Sequence, residues 1–178
     1  MLTGKLVTLR PIKMEDWEKT LKWRNDLLIK TSTMSHPFPI TQEQEQEWYN
    51  NKLNSFDNKY LYFAIIRHED DELIGYIHLN SIDWISRNAY FGVVIGDQSN
   101  FGKGYGKEAV CLLLSYGFEN LNLNKIYAYV LENHPAIKTY YDIGAKLEGT
   151  LKQHFFHKNK YENVSVLAWY QKNLKNNK

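Results

Sequence analysis

The stretch Val93-Val94-Ile95-Gly96-Asp97-Gln98-Ser99-Asn100-Phe101-Gly102-Lys103-Gly104-Tyr105-Gly106-Lys107-Glu108-Ala109 decides the fold. An apolar run enters a polar turn, alternating glycines follow with lysines between and after them, and Ala109 to Phe118 reads as a buried helix. The order is strand, glycine-rich turn, helix. Glycine lets a backbone turn tightly and approach a ligand closely. The first N–H groups of a helix lack internal acceptors and carry partial positive charge. Together these features make a phosphate site. Two nucleotide-binding readings fail on spacing. From Gly96 to Gly102 is one residue too long for a P-loop, and Gly104 follows Lys103 where Ser or Thr should hold a metal. A dinucleotide turn needs G-x-G-x-x-G, and here Lys107 takes the third position while Gly106 comes one residue early.

A different spacing fits. Gly102-Lys103-Gly104-Tyr105-Gly106 resembles the pyrophosphate turn of the GNAT N-acetyltransferase superfamily, Arg/Gln-x-x-Gly-x-Gly/Ala. Gly104 and Gly106 match the last two fixed positions, and Phe101 stands where Arg or Gln is usual. A second block, Lys125 to Ala145, resembles that superfamily's strand–Asn–x–x–Ala–helix–Tyr–x–x–x–Gly segment through Asn133, Ala136, Tyr140 and Gly144, with Ala145 in place of the usual Phe. The resemblance covers about residues 5–171 and is closest after Leu73. Trp23-Arg24-Asn25 and Pro39-Ile40-Thr41 look like the branch holding ribosomal-protein N-terminal, spermidine and amino-sugar acetyltransferases. It implies a mixed, mostly antiparallel α/β sheet of about seven strands and four helices, in which one strand pair splays to hold a cofactor.

Composition sets outer bounds. The 178 residues suit one domain, expected at 1–171 with a frayed tail at 172–178. Net charge is +2, which gives no strong pull toward nucleic acid or an anionic membrane. Aromatic residues make up 15%, enough that rings must line a core, a pocket or an interface, and a homodimer is one outlet. Cys111 is the one cysteine and falls within an apolar helical run, so it reads as a small core residue, and a reducing, cytoplasmic setting fits. No leader or membrane-spanning run is read.

Along the chain, Leu6 to Arg10 alternates as a strand. Met14 to Trp23 has helical spacing with Met14, Trp17 and Leu21 on one face, and Arg24-Asn25-Asp26 closes it. Leu27 to Ile40 reads as irregular, with Pro37 and Pro39 as breakers. Thr41 and Gln44 form a capping box for a helix running through Trp48 to about Asn54. Strands are expected at Tyr60 to Ile66, Leu73 to Ile82, Arg87 to Ile95 and Ile126 to Leu131, with a closing hairpin of Leu147 to Phe156 and Tyr161 to Tyr170. Helices are expected at Tyr105 to Leu121 and Pro135 to Ile143. The strands at Ile95 and Lys125 should run parallel and diverge.

Acetyl transfer from a thioester to an amine needs a held cofactor, a neutral amine, a stabilised oxyanion and a protonated leaving thiol. Backbone N–H groups from Asn100 to Gly106, with Phe101, Gly102, Lys103, Gly104 and Tyr105 between them, are assigned to the pyrophosphate of acetyl-CoA, partly by resemblance. Val93, Val94 and Ile95 would meet the pantetheine arm, Asn133 its amides (or it caps the next helix), and Ala136 lies on the same segment. Lys103 and Lys107 either add charge or are ordinary surface lysines. Tyr140 occupies the position of the superfamily's general acid: a phenol near pKa 10 can protonate a thiolate near 8.5 with little driving force. Tyr141 reads as packing. The base is open. Tyr90 stands where relatives carry Glu, and His78, Asp83 and His36 are the remaining candidates. No metal is expected, and His154 and His157 lack ligand partners nearby.

The acceptor pocket is expected from Trp23 to Pro39, the loop near Trp84 and His154 to Phe156, with Arg24, Asn25, His36, Trp84 and Phe155 as its contacts. Glu43 and Glu47, one turn apart, would attract a polyamine or simply face solvent. The acceptor class stays open between a polyamine, an amino sugar, an aminoglycoside and a protein or peptide N-terminus. A non-catalytic acyl-CoA sensor is the alternative function, and an interaction domain the one after it.

Overall fold

The computed structural model describes residues 1–53 and 58–171, with Leu53 by its backbone alone. Asn54 and the tail at 172–178 lie outside the described residues. The strands are β1 (Leu2–Thr3), β2 (Val7–Pro11), β3 (Leu61–Arg67), β4 (Leu73–Asp83), β5 (Asn88–Ile95), β6 (Lys125–Leu131), β7 (Lys146–His157) and β8 (Lys160–Tyr170). The α-helices are α1 (Trp17–Asn25), α2 (Leu27–Ser32), α3 (Gln42–Leu53), α4 (Tyr105–Glu119) and α5 (Ala136–Asp142). All eight strands join one sheet in the order β1-β2-β3-β4-β5-β6-β8-β7. Every neighbouring pair is antiparallel except β5 with β6. The expected fold class holds, with β1 and α2 added.

α2 was hidden by its cap. Asp26, read as the end of α1, accepts the N–H groups of Leu28 (2.8 Å) and Ile29 (3.1 Å) and so starts a second helix. The capping box of α3 forms as expected: Thr41 N–H donates to Gln44 Oε1 at 2.9 Å, and Gln44 N–H to Thr41 Oγ1 at 3.3 Å.

Two hydrophobic layers cover the sheet. On one face α4 buries Ala109, Val110, Leu113, Leu114 and Phe118 against Leu9, Ile65, Ile77, Leu79 and Phe91. That stripe leaves Cys111 on the far side of the helix, exposed rather than in the core; the unbroken apolar run masked the 3.6-residue period. On the opposite face α1 to α3 cover Ala64, Tyr76 and Val94 with Trp23, Ile29 and Tyr49.

α1 turns inward a face shifted from the expected one: Thr20 and Trp23 are buried, and Trp17 packs partly buried against the same layer. Met14 precedes α1 in a short 3-10 turn and is 42% exposed. Polar partners explain the shift. Thr20 Oγ1 donates to Glu45 Oε1 at 2.7 Å and bonds the Tyr49 hydroxyl at 3.0 Å, and the fully buried Glu45 forms an ion pair with Arg24. Such a buried network must be complete to be tolerated, and that requirement orients the helix.

Candidate active site

The parallel pair β5–β6 opens the sheet. Its register runs Asn88↔Lys125, Ala89↔Ile126, Tyr90↔Tyr127 and stops there. β4 stays paired with β5 as far as Ile95, and β8 with β6 as far as Leu131. Beyond Tyr90, then, the inner edges of β5 and β6 face each other without a ladder. An extended amide-bearing arm can pair with such an edge as an added strand. Val93 and Ile95 pack toward α4, and Val94 is buried beneath the helices of the other face. It is their backbone that lines the gap.

At the open end of the gap lies the glycine turn. Asn100 N–H donates to Asp97 O (3.0 Å) and Phe101 N–H to Gln98 O (2.9 Å), closing a short 3-10 turn over Gln98–Asn100. Those two amides are therefore committed, and the expected cradle shortens to begin at Gly102. Asn100 is buried, and its Oδ1 accepts from Arg67 Nη1 at 2.6 Å. Arg67 is itself anchored by Asp70 and Glu72. Gly102 (φ +72°) and Gly104 (φ +89°) adopt the left-handed conformation that disfavours other residues, and nothing lies within 4 Å of a Cβ built at Gly102. Conformation rather than crowding demands glycine here, and the space above is open. Glu108 N–H to Gly104 O, 2.9 Å, marks the start of the helical ladder. The N–H groups of Tyr105, Gly106 and Lys107 in the first turn thus have no acceptor within the helix. Lys103 and Lys107 are exposed beside them. A pyrophosphate on these amides with its arm in the gap fits the geometry.

Glu108 braces the turn from below. Its carboxylate accepts the N–H groups of Lys5, Leu6 and Val7 at 2.8, 2.7 and 2.8 Å. Burial pushes its pKa up, but the three donors outweigh that and hold it below the usual carboxylate value. Nothing in the sequence singled out Glu108 or Arg67 as supports.

Tyr140 approaches the gap from the α4 side. Its ring meets Phe91 edge-on at 5.8 Å and Trp169 at 5.6 Å, and Phe91 is the first residue past the point where the strands part. Burial first, and then the nearby Tyr90, drive its pKa upward, so the phenol keeps its proton throughout the neutral range. Tyr141 points outward, 43% exposed, and is not the packing residue expected. Asn133 does not take the N-cap role weighed for it: the cap position of α5 is Pro135, and the Ala136 N–H donates to His134 Nδ1 at 3.1 Å, while Asn133 is exposed.

Tyr90 follows the alternation of β5 and faces the opposite way from Phe91, into a run of rings with Tyr62, Tyr76, His78, Tyr127 and Tyr129. Among the base candidates, burial and then Lys52 push His78 down to about 3, so it is neutral. Asp83 accepts the N–H groups of Ile85 and Ser86 (2.9 and 2.8 Å) and serves its hairpin turn. His36 is exposed and rests on Phe38 at 5.9 Å.

The expected acceptor contacts separate. Arg24 is engaged by Glu45 and lies over Trp48 at 4.8 Å. Asn25 binds both polar groups of the Ile40 backbone, at 2.8 and 2.9 Å, so it pins the 25–40 loop. Trp84 sits at the β4–β5 hairpin, the end of the sheet away from the glycine turn, and donates to Asn58 O at 3.1 Å. Phe155 does lie at the cofactor end: it stacks on His157 at 6.4 Å, and His157 Nε2 meets Thr31 Oγ1 of α2 at 3.1 Å. A pocket of about 270 Å³ separates α2 from the glycine turn, lined by Asp26, Leu28, Ile29, Gly96 and Phe101 among others. Glu43 and Glu47 face solvent.

Residues 7–145 match the family described as Acetyltransferase (GNAT) domain. The chain belongs to the GNAT acetyltransferase family. It is an acetyl-CoA-dependent N-acetyltransferase. A spermidine N(1)-acetyltransferase from Vibrio cholerae is 31% identical over 159 residues, 89% of each chain. The crystal structure of a Vibrio cholerae spermidine N-acetyltransferase in complex with CoA and spermine aligns with TM-score 0.88 at 29% identity, covering 96% of this chain and 98% of that one. A dodecameric structure of the same Vibrio cholerae enzyme aligns with TM-score 0.82 at 27% identity, covering 98% and 99%. Within the GNAT family, the resemblance read from Gly104, Gly106, Asn133 and Tyr140 is therefore one of kinship. Among the described residues no helix is long and apolar enough to cross a membrane, and no three His, Cys, Asp or Glu side chains cluster as metal ligands.

Proposed function

We propose that this GNAT enzyme moves the acetyl group of acetyl-CoA directly to a primary amine of a polyamine, both substrates being bound at once. The carrying observation is the parting of β5 and β6 after Tyr90 and Tyr127, with the glycine turn at its open end and Tyr140 beside its apex. The donor supplies an activated thioester. Amides from Gly102 to Lys107 hold its pyrophosphate, with Lys103 and Lys107 adding charge. The backbone from Val93 to Ile95 and the side chain of Asn133 align the arm, and Ala136 closes beside it. Tyr140 hands its phenolic proton to the departing sulfur. The amine enters from the face carrying Tyr90, past Phe155 and the α2 end of the 25–40 loop.

The polyamine assignment is supported by the named activity of the Vibrio cholerae relative. A peptide N-terminus or an amino sugar is the competing acceptor. Residues 1–171 act as one catalytic domain, in the cytoplasm, and the chain self-associates, as its dodecameric structural neighbour does.

The test is mass detection of acetylated product from acetyl-CoA and a panel of spermidine, spermine, amino sugars, aminoglycosides and short peptides with free N-termini. Acetylated spermidine or spermine is the expected product. Acetylation of the peptides or sugars alone would overturn the acceptor, and donor binding with no product from any amine would favour an acyl-CoA sensor.

A further inference from the structure

An amine must lose its proton to attack a thioester, but the other nitrogens of a polyamine keep theirs, since an alkylammonium has a pKa of about 10.4. The enzyme must therefore hold a substrate that stays cationic. Arg24, the charged side chain expected at the acceptor, is itself a cation and is already paired with Glu45. What the acceptor face offers is rings.

They form a continuous strip across four strands. Tyr62 on β3 lies 5.0 Å from His78 on β4, His78 lies 6.1 Å from Tyr90 on β5, and Tyr90 lies 5.9 and 5.7 Å from Tyr127 and Tyr129 on β6. Three of them are held uncharged: burial takes the Tyr62 phenol up to about 12 and that of Tyr90 upward, and it takes His78 down to about 3. Ring faces attract cations, and the protein's own cations show it at Tyr127 of the strip and at two rings outside it, Tyr60 and Trp48. Lys52 sits 3.2 Å from the centre of the Tyr60 ring, Arg24 4.8 Å from Trp48, and Lys125 5.5 Å from Tyr127. Two of these are neutralised, Arg24 by Glu45 and Lys125 by Glu148, so they do not close the strip to a further cation. No protein cation is stacked on Tyr90 or Tyr129 among the described residues. Tyr129 is 41% exposed, so its ring can be reached from solvent.

We propose that the ring faces of Tyr129 and Tyr90 bind a non-reacting ammonium group of the acceptor, so that this enzyme recognises its cationic substrate by cation–π contact. The inference rests on the acetyl-transfer reading above and adds the residues that select the amine. Tyr90 is the last paired residue before the gap and Tyr129 lies two residues farther along β6 on the same face. An ammonium held there leaves a second nitrogen, a few bonds away, at the thioester.

The experiment compares Tyr129→Phe, which keeps the π face, with Tyr129→Leu, which removes it. Initial rates are measured against spermidine and against butylamine, which has no second cation. Spermidine binding is also followed by calorimetry, which needs no turnover. Tyr129→Leu should raise KM and the dissociation constant for spermidine about 3- to 30-fold. Tyr129→Phe should stay within about twofold of wild type, the butylamine KM should not move in either variant, and acetyl-CoA affinity should be unchanged. Unchanged spermidine binding in Tyr129→Leu overturns the proposal. So does a loss as large in Tyr129→Phe, which would point to the hydroxyl. A wild type that acetylates no amine defeats the acetyl-transfer reading instead, and the calorimetric comparison still decides the ring.

Discussion

His78 on β4 lies directly against Gly92 on β5: a Cβ built at Gly92 would stand 2.5 Å from His78 Nε2 and 2.7 Å from its Cε1. The two are cross-strand partners two residues beyond the point where β5 leaves β6. The imidazole thus fills the volume that a side chain at position 92 would occupy. Gly92→Ala should displace it, disturb its contacts with Tyr62 and Tyr90, and cost about 1–3 kcal/mol. Denaturant unfolding checks the size. The effect on activity should fall on KM for the amine and leave acetyl-CoA affinity unchanged.

A closer approach occurs at the end of β5. A Cβ at Gly96 would come 1.8 Å from Trp23 Cε2, and Trp23 is almost wholly buried. The indole cannot swing aside without opening the α1–α3 layer. Gly96→Ala should therefore destabilise by about 3 kcal/mol, at the upper end for overpacking, read as a lowered denaturation midpoint with an unchanged slope. Trp23→Phe in the same background should recover part of the loss.

Glu108 predicts a pH-dependent effect. Its folded pKa lies below the unfolded value of about 4.3. Its contribution is therefore complete above that value and disappears as pH falls through the lower, folded pKa. At pH 7, Glu108→Gln should lose about 1–2 kcal/mol, because a neutral amide accepts fewer and weaker bonds from Lys5, Leu6 and Val7. Below about pH 4 the melting temperatures of wild type and variant should converge. Parallel curves down to pH 2 would contradict the carboxylate's role.

Tyr140→Phe should lower kcat by about 100-fold or more, the range for a lost general acid, while acetyl-CoA binding stays within about twofold. Phe keeps the edge-on contacts with Phe91 and Trp169, so the fold should tolerate it. Because burial raises the Tyr140 pKa, its ionisation should not limit activity at any pH below about 10. An alkaline fall in rate that vanishes in Tyr140→Phe would show the opposite.

What could be read in the sequence was what is local to the chain. The glycine turn, the Thr41–Gln44 box and the Asn133-to-Gly144 segment each put their determinants within a dozen residues, so spacing alone revealed them. The supports could not be read that way. Arg67 reaches Asn100 across 33 positions, and Glu108 reaches Lys5 across 103. Trp84 is expected at the acceptor pocket as an aromatic contact. Strand direction argues otherwise, since a hairpin turn that leads into β5 lies at the opposite end from the turn that leaves it. The helix from Leu27 to Ser32 was lost because Asp26 was read as a stop for one helix and not as a cap for the next. The exposure of Cys111 followed from the stripe Ala109, Val110, Leu113, Leu114, which a continuous apolar run concealed.

The central claim is that the splayed pair β5–β6 brings a thioester and an amine together. The most direct measurement is the initial rate of free-thiol release from acetyl-CoA by the purified wild-type protein, with and without spermidine. Release that is negligible alone, and rises with spermidine to a plateau, is the predicted result. Release that is the same with and without the amine, or no binding of acetyl-CoA at all, would contradict it.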